Sequence, residues 1–298
     1  MKEMRIPLIA AIAVLFLGVI LGSAFDLQIS TAIASSSSSF GLGISVIAPT
    51  IGFSGLSVIG GGFLAFFLQK RHKTLLRVAF MVLAVLCFGV SVYFAGKEVF
   101  GVNGFYGVAP KLVGYFIVLI PLGASVFLGY WLFKDVENPN AWIMFIIILG
   151  VLFMSLVPAV TGLKAIMHRP RPRAVFDAGV SFHQWWEPCR DYKALMQQFA
   201  LESEEFKSFP SGHSAEISIL GVTCILLPVV CPKLKKFYLA LIIGSSVIVL
   251  LVMFARILAA AHFLSDVSTG AFTMYFFGLI GNEVAIRMKK LHPEVVDD

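Results

Sequence analysis

The amino-acid sequence predicts an all-α protein, a polytopic transmembrane helix bundle of about eight spans. Of its 298 residues, 58% are hydrophobic and only 13% are charged, whereas roughly a quarter of the residues in a soluble domain are charged. Eight apolar runs follow one another, each with the length that a helix needs to cross a bilayer. The basic residues cluster between these runs, as membrane topology signals do, so the net charge of +6 does not indicate nucleic-acid binding.

The first four apolar runs lie in the N-terminal half of the chain. The run at residues 6–25 precedes a sequence at 32–34 that resembles a signal-peptidase site, but it is longer than a typical signal core, and we favour a retained first helix. We interpret residues 26–40, with their serine tract, as a flexible loop. The glycines at 60–62 predict close approach of a neighbouring helix. The other runs of this half cover residues 43–69, 75–95 and 112–133.

The C-terminal half combines four further runs with a long polar stretch. The stretch covers residues 165–208 and lies between the fifth and sixth runs. We divide the chain into N-terminal helices, 1–140, and a motif-bearing half, 141–290, within a single integral membrane domain. The four runs cover residues 141–163, 215–231, 237–255 and 267–286.

The distribution of positive charge predicts the orientation of the bundle. Eight spans place both termini on one side of the membrane. More than half of the 23 Lys and Arg residues fall in the terminal segments and loops of that side, and such residues are enriched in cytoplasmic loops. We therefore predict cytoplasmic termini, which places Lys164, Pro210 and His262 at the extracytoplasmic face.

A short stretch directly before the sixth run has the features of a phosphate cradle. Pro210 suits the first turn of a helix, and Ser211 with Gly212 leaves the next amides accessible to an anion, which helix N-termini attract. His213 then stands one turn into the helix with a side chain that can carry a proton near neutral pH. An ordinary helix start has the same local pattern, so this stretch alone does not decide the function.

Cationic residues near the ends of the same runs suit a phosphate ligand. A phosphate ester needs cations to stabilise the charge on its oxygens in the transition state, and Lys164, Arg171 and Arg256 can supply them. A membrane-flanking role is the alternative, but positive residues are depleted at outer helix ends. His262 and Asp266 are four residues apart, so on a helix the carboxylate can accept the imidazole N–H.

The spacings Lys-x6-Arg-Pro, Pro-Ser-Gly-His and Arg-x5-His-x3-Asp resemble, in order, the three motifs of the type 2 phosphatidic acid phosphatase (PAP2) superfamily. The resemblance covers about residues 141–286. It implies a six-helix core, so two of the spans before residue 141 look like an addition. One departure is Ala255, because the family's third motif usually begins Ser-Arg and the change removes a possible hydroxyl contact to phosphate.

The resemblance also implies a role for each motif residue. His262 is the expected nucleophile that forms a phosphohistidine, with Asp266 orienting it. His213 is expected to protonate the leaving alkoxide and later to activate water. The residues expected to bind phosphate are Lys164, Arg171, Ser211, Gly212 and Arg256.

The predicted function is that of a membrane phosphatase acting on a lipid phosphate monoester or diphosphate at the extracytoplasmic face. The resemblance suggests as substrates a polyprenyl diphosphate such as undecaprenyl diphosphate, phosphatidic acid, phosphatidylglycerol phosphate or a phosphorylated glycolipid such as lipid A. We expect no cofactor, since the cations replace a magnesium ion and the four cysteines indicate neither a disulfide framework nor a zinc site. The expected partners are the bilayer and a lipid substrate, with the oligomeric state open. A lipid phosphotransferase is the first alternative, and a transporter is a remote one.

Several further residues of the polar stretch are given weaker interpretations. His168, Arg169 and Arg173 extend the first motif and are possible headgroup contacts. Trp185 and Trp186 are interpreted as anchors at the bilayer interface. An interfacial helix is predicted by the helical spacing of four apolar residues, Tyr192, Leu195, Met196 and Phe199. A solvated loop face is predicted by the acidic residues Glu202, Glu204 and Glu205.

Overall fold

A computed structural model of the chain describes residues 4–101, 108–137 and 141–291, and within these ranges the protein is all-α. The predicted fold class is therefore confirmed. Its α-helices are α1 (Arg5–Ile33), α2 (Ser39–Leu68), α3 (Thr74–Gly101), α4 (Val108–Phe133), α5 (Ala141–Met154), α6 (Gly162–Met167), α7 (Pro172–Phe176), α8 (Tyr192–Gln198), α9 (Gly212–Leu226), α10 (Pro232–Lys235), α11 (Tyr238–Leu258) and α12 (Leu264–Leu291).

Seven segments of the described chain are long and apolar enough to cross a membrane, so the protein has the character of a multi-pass membrane protein. The fifth of them joins α5 to α6 and α7 through the π-helical turn Ser155–Thr161. The predicted eighth span corresponds to α12, which is not among the seven. It has 28 residues, a length of about 42 Å, but it carries polar side chains that are buried inside the bundle. Those buried side chains are Ser265, Asp266, Ser268, Thr273 and Asn282.

The first connection differs from the prediction. Residues 26–33 continue α1 as helix, and only residues 34–38 separate it from α2. The prediction of a flexible loop over 26–40 is therefore wrong. The physical reason is that Asp26 is 2% exposed and hydrogen-bonded to groups elsewhere in the chain. This polar residue therefore lies in the protein interior, although its sequence context suggests exposure to solvent.

Helix α2 lies at the centre of the bundle and packs against α3, α4, α9 and α11. Its glycines allow this contact, as predicted. A β-carbon at Gly61 would stand 1.9 Å from the carbonyl oxygen of Val126 on α4, and one at Gly129 of α4 would stand 2.0 Å from the carbonyl oxygen of Val58. The two backbones therefore approach at a distance that only glycine permits. Helix α12 packs along α1, α9 and α5 and closes the other side of the bundle.

Replacing Gly61 by alanine is expected to destabilise the protein by roughly 1–3 kcal/mol, the usual range for overpacking, because α2 and α4 must move apart. Thermal unfolding in one detergent measures the effect. Gly89→Ala on α3 is the matched control, since a β-carbon there meets nothing within 4 Å and alanine favours a helix over glycine. Equal melting temperatures for the two variants would contradict the close contact.

Candidate active site

Three separated segments of the chain meet at one end of the bundle. A β-carbon at Gly212, the first residue of α9, would stand 3.4 Å from Lys164 Nζ. The backbone N–H of Ser211 donates to the carbonyl of Asp266 on α12 (2.9 Å), and the N–H of Arg173 donates to the carbonyl of Ala260 (3.0 Å). The structure therefore brings the three motifs together, although they are far apart in sequence.

The start of α9 is built by Ser211, which caps the helix. Its Oγ accepts from the N–H of Ser214 at 3.4 Å and contacts the Ser214 hydroxyl at 3.1 Å. Pro210, which follows a cis peptide bond, precedes this cap and does not lie in the first turn, contrary to the prediction. The N–H of Ser211 is occupied by Asp266, whereas its Oγ only accepts in these contacts. The donors at the start of the helix that suit an anion are therefore the Ser211 O–H and the first-turn amides, beginning with Gly212.

Helix α12 crosses close to this cap. A β-carbon at Gly270 would stand 2.2 Å from the carbonyl oxygen of Ser211, so glycine is required at this crossing. A turn separates α11 from α12: α11 ends at Leu258, and the carbonyl of Arg256 accepts from the N–H groups of Ala261 (3.2 Å) and His262 (3.3 Å). This turn places His262 and Arg256 beside one another.

The ring of His262 is held by a backbone carbonyl. Its Nδ1 lies 2.7 Å from the carbonyl oxygen of Ser208, and the side chain is almost fully buried. A carbonyl oxygen only accepts hydrogen bonds, so Nδ1 carries the proton in the neutral ring. The lone pair of the imidazole is consequently on Nε2, the nitrogen remote from Ser208.

The predicted direct hydrogen bond between His262 and Asp266 is absent. Asp266 Oδ2 lies 3.9 Å from Nδ1, beyond hydrogen-bond distance. The carboxylate is occupied by other donors: Oδ2 accepts from Ser208 Oγ (2.5 Å) and the N–H of Phe263 (2.8 Å), and Oδ1 accepts from Arg169 (2.6 Å). Asp266 thus reaches His262 through Ser208, which the sequence did not single out.

The surroundings of His262 favour its neutral form. Burial lowers the pKa of His262 well below its ordinary value of 6.5, and nearby positive charge lowers it further. Neutral imidazole is the form that can act as a nucleophile. The neighbours that contribute, in order of effect, are Arg256, Arg171, Lys164 and His213.

The three predicted cations lie around this ring and have carboxylate neighbours. Arg256 is 6% exposed and Arg171 9%. The Arg171 Nε donates to the carbonyl of Glu204 (2.8 Å), and its guanidinium lies 3.7 Å from the Glu204 carboxylate. Glu216 lies in the same region as Lys164, because its Oε1 would stand 3.8 Å from a β-carbon at Gly212 that would stand 3.4 Å from Lys164 Nζ. The site therefore holds three cations and two carboxylates.

Of the acidic residues predicted to form a solvated face, Glu202 is exposed, whereas Glu204 and Glu205 contact Arg171 and Arg173. Glu205 accepts two hydrogen bonds from Arg173, at 2.8 and 2.5 Å, and its backbone carbonyl accepts from the N–H of Arg171 at 2.8 Å. Glu204 is exposed and also pairs with Lys207 at 2.6 Å. The predicted solvated face is thus wrong for Glu205 and incomplete for Glu204.

Aromatic residues of the stretch pack within the protein. Trp185 donates its indole N–H to Ser23 of α1 (2.7 Å) and stacks on Phe209, whereas Trp186 is exposed. The predicted interfacial helix exists as α8, but its apolar residues pack on a small core of the stretch itself, away from the main bundle core. The buried residues of that small core are Ala174, Val180, Cys189 and Phe206.

Sequence reasoning missed an ion-pair network at the base of the site. Arg169 is fully buried and bridges two carboxylates, with 2.9 Å to Asp26 and 2.6 Å to Asp266. The sequence suggests only a possible headgroup contact for Arg169, a role that its burial excludes. The available signal was an aspartate directly after an apolar run, because a buried charge at a helix end requires a partner.

The donors for a metal ion are sparse. In the ranges that the structure describes, no group of three or more His, Cys, Asp and Glu side chains is arranged to hold one. The carboxylates that lie near the site are each next to an Arg or Lys side chain.

Comparison with known proteins agrees with the motifs. The family described as the PAP2 superfamily matches residues 139–285. Phosphatidylglycerophosphatase B of Haemophilus influenzae is 27% identical over 151 residues, which cover 44% of this chain and 61% of the relative, so the match spans about three fifths of that protein's length. No solved structure gives a significant match. The family match covers all three motifs that the fold gathers at one end of the bundle, so residues 139–285 are similar to the PAP2 superfamily in both sequence and motif order.

Proposed function

We propose that the protein is a metal-independent membrane phosphatase that hydrolyses a lipid phosphate monoester or diphosphate through a phosphohistidine on His262. The observation that carries this proposal is the hydrogen bond from His262 Nδ1 to the Ser208 carbonyl. It directs the basic Nε2 away from that carbonyl and leaves it available for attack, in surroundings that keep the ring neutral. The name of the Haemophilus relative supports a lipid phosphate as substrate.

The proposed reaction has two steps with balanced proton transfers. His262 Nε2 attacks phosphorus, the bond from phosphorus to the ester oxygen breaks, and His213 gives a proton to the leaving alkoxide. In the second step neutral His213 takes a proton from water, the oxygen of that water attacks phosphorus, and the bond from phosphorus to Nε2 breaks. Inorganic phosphate leaves, and His213 is protonated again for the next cycle.

The cations are proposed to bind and activate the phosphoryl group. Lys164, Arg171 and Arg256, together with the first-turn amides of α9, stabilise the charge that spreads over the equatorial oxygens. Because these side chains already supply positive charge, the chemistry does not require a divalent ion. Glu204 is exposed and contacts Arg171, so an entering phosphate would replace that carboxylate at the guanidinium.

The location of the site supports a substrate that is anchored in the bilayer. The site lies where α9, α11 and α12 begin or end, which for membrane-crossing helices is the depth of the lipid headgroups. We propose that this end faces away from the cytoplasm, since the opposite end carries clustered basic residues. Those residues include Lys70, Arg71, Lys73, Arg77, Lys233, Lys235 and Lys236.

A panel of lipid phosphates in detergent micelles tests the proposal. Purified protein in a metal chelator is expected to release inorganic phosphate from at least one of phosphatidic acid, phosphatidylglycerol phosphate, undecaprenyl diphosphate and a lipid A phosphate. Analysis of the lipid products with a second lipid alcohol present distinguishes hydrolysis from phosphoryl transfer. Turnover that requires added divalent metal would contradict the proposed mechanism.

The protonation of His262 is expected to occur below pH 6.5. The buried and positively charged surroundings disfavour the imidazolium form, so the ring stays neutral as the pH falls through 6.5 and gains its proton only at lower pH. The measurement is a pH titration of the ring nitrogens by NMR in ¹⁵N-histidine-labelled protein, with the His262 signals assigned from their loss in His262→Asn. A midpoint at or above pH 6.5 would contradict the proposed environment.

A further inference from the structure

We infer that Asp26 of α1 is a positioning residue for the proposed phosphatase, acting on His262 through Arg169, Asp266 and Ser208. Asp26 lies outside all three motifs and outside the residues that match the family. The inference rests on the proposed function, because the consequence of misplacing His262 is a loss of turnover.

The first step of the argument is the binding of Asp26 itself. Its carboxylate is 2% exposed and accepts from the Arg169 guanidinium (2.9 Å), from the backbone N–H of Ser265 (2.9 Å) and from the Ser265 hydroxyl. A β-carbon at Gly22, one turn earlier in α1, would stand 2.5 Å from the same backbone nitrogen. Helix α1 therefore contacts the start of α12, and Asp26 is the residue that pairs with charge there.

The second step is the position of Arg169 between two carboxylates. One terminal nitrogen binds Asp26, and the other donates to Asp266 Oδ1 (2.6 Å) and to the Ser265 hydroxyl (2.8 Å). The guanidinium also lies 4.3 Å from the ring centroid of Phe263. With Asp26 present, both ends of this planar group have an acceptor, which determines its orientation.

The third step connects Arg169 to the nucleophile by two routes. Its side chain binds Asp266, whose other oxygen accepts from Ser208 Oγ at 2.5 Å. Its backbone carbonyl accepts from the N–H of Ser208 at 3.0 Å. Ser208 in turn accepts the Nδ1 proton of His262. Both routes end at the carbonyl that sets the tautomer and direction of the imidazole.

The charge balance explains why the carboxylate of Asp26 matters. The buried cluster contains one arginine, Arg169, and two aspartates, Asp26 and Asp266, so it carries one net negative charge. The burial of each charged group therefore depends on the other two. Without the Asp26 charge, the guanidinium keeps the His183 carbonyl at Nε (2.9 Å) and Asp266 at one terminal nitrogen, but it loses the charged acceptor at its other terminal nitrogen. Its position relative to Asp266 is then less tightly fixed. Ser208 and the ring of His262 then lose part of their constraint, and a small displacement of a nucleophile greatly reduces a reaction rate.

The test compares Asp26→Asn, Arg169→Gln and the double variant in micelles with the lipid that wild type hydrolyses best. We expect Asp26→Asn to lower kcat about 10- to 100-fold, the size of effect that a small misplacement produces, with little change in KM. We expect the double variant to be no slower than Arg169→Gln, since the two residues act in series. Asp135→Asn is the matched control, because Asp135 is exposed and pairs with Lys233 at the far end of the bundle.

A direct readout separates positioning from a purely structural role. In ¹⁵N-histidine-labelled protein, the wild-type His262 ring is expected to be protonated at Nδ1, and Asp26→Asn is expected to shift these signals towards a mixture of tautomers. Wild-type kcat in folded Asp26→Asn, or a loss of activity that only follows the loss of folded protein, would overturn the inference. If wild type hydrolyses none of the lipids, the proposed function fails, and unchanged ring signals in Asp26→Asn would then overturn the inference independently.

Discussion

Replacing His262 by asparagine is expected to abolish phosphate release, with a loss of at least about 10⁴-fold in kcat, as for removal of a nucleophile in other covalent mechanisms. The asparagine amide can still donate to the Ser208 carbonyl that now binds Nδ1, so the fold around the site is preserved. No atom remains in the place of Nε2. The measurement is phosphate release from the best lipid substrate under single-turnover and steady-state conditions.

Two controls accompany this variant. His72→Asn changes a histidine in the turn between α2 and α3, at the opposite end of α2 from the site, and is expected to keep wild-type turnover. Melting temperatures of both variants show whether they are folded. Phosphate release by folded His262→Asn at a tenth of the wild-type rate or faster would exclude His262 as the nucleophile.

Replacing Arg256 by glutamine is expected to lower kcat by about 10²- to 10³-fold, the usual cost of removing one group that stabilises transition-state charge. Arg256 is buried, it adjoins His262 through the turn at the end of α11, and it is the largest charged influence on the His262 ring. Glutamine keeps a hydrogen-bond donor at about the position of the arginine Nε but removes the terminal nitrogens and the positive charge. The loss should therefore appear mainly in kcat, which steady-state kinetics measures.

The pKa of His262 provides a second readout for the same variant. Because the charge of Arg256 lowers this pKa, its removal should raise the midpoint of the His262 titration towards 6.5. Arg287→Gln is the matched control, since Arg287 is exposed and follows Asp266 by 21 residues of α12, about 31 Å along the helix. An unchanged kcat in folded Arg256→Gln would remove Arg256 from the proposed mechanism.

Most of the fold could be predicted from local sequence. Each apolar run corresponds to a long helix or, for the fifth run, to α5 with its π-helical and α6 continuation, because an unbroken apolar stretch in lipid must satisfy its own backbone hydrogen bonds. Helix ends were less predictable. The end of α1 is polar in sequence yet buried in the structure, since Asp26 has a partner 143 residues away, a separation that no local pattern reveals.

The candidate site divides in the same way. The spacing of His262 and Asp266 predicts both on one helix with a hydrogen bond between them, but His262 lies two residues before α12 begins and the hydrogen bond is absent. The Asp266 carboxylate has partners in Ser208 and Arg169, which lie 58 and 97 residues away in sequence. Several donors compete for one acceptor, and distance and geometry in the folded chain decide among them.

By itself, the sequence determined the membrane character of the protein, its all-α class and the residue types of the proposed phosphate site, because hydropathy and motif spacing are properties of neighbouring residues. Only the tertiary structure decided that Ser208 holds the His262 ring, that Glu204 and Glu216 lie among the cations, and that α1 contributes to the base of the site. These are contacts between distant segments, and a buried polar group takes whichever partner the packing of the helices brings to it.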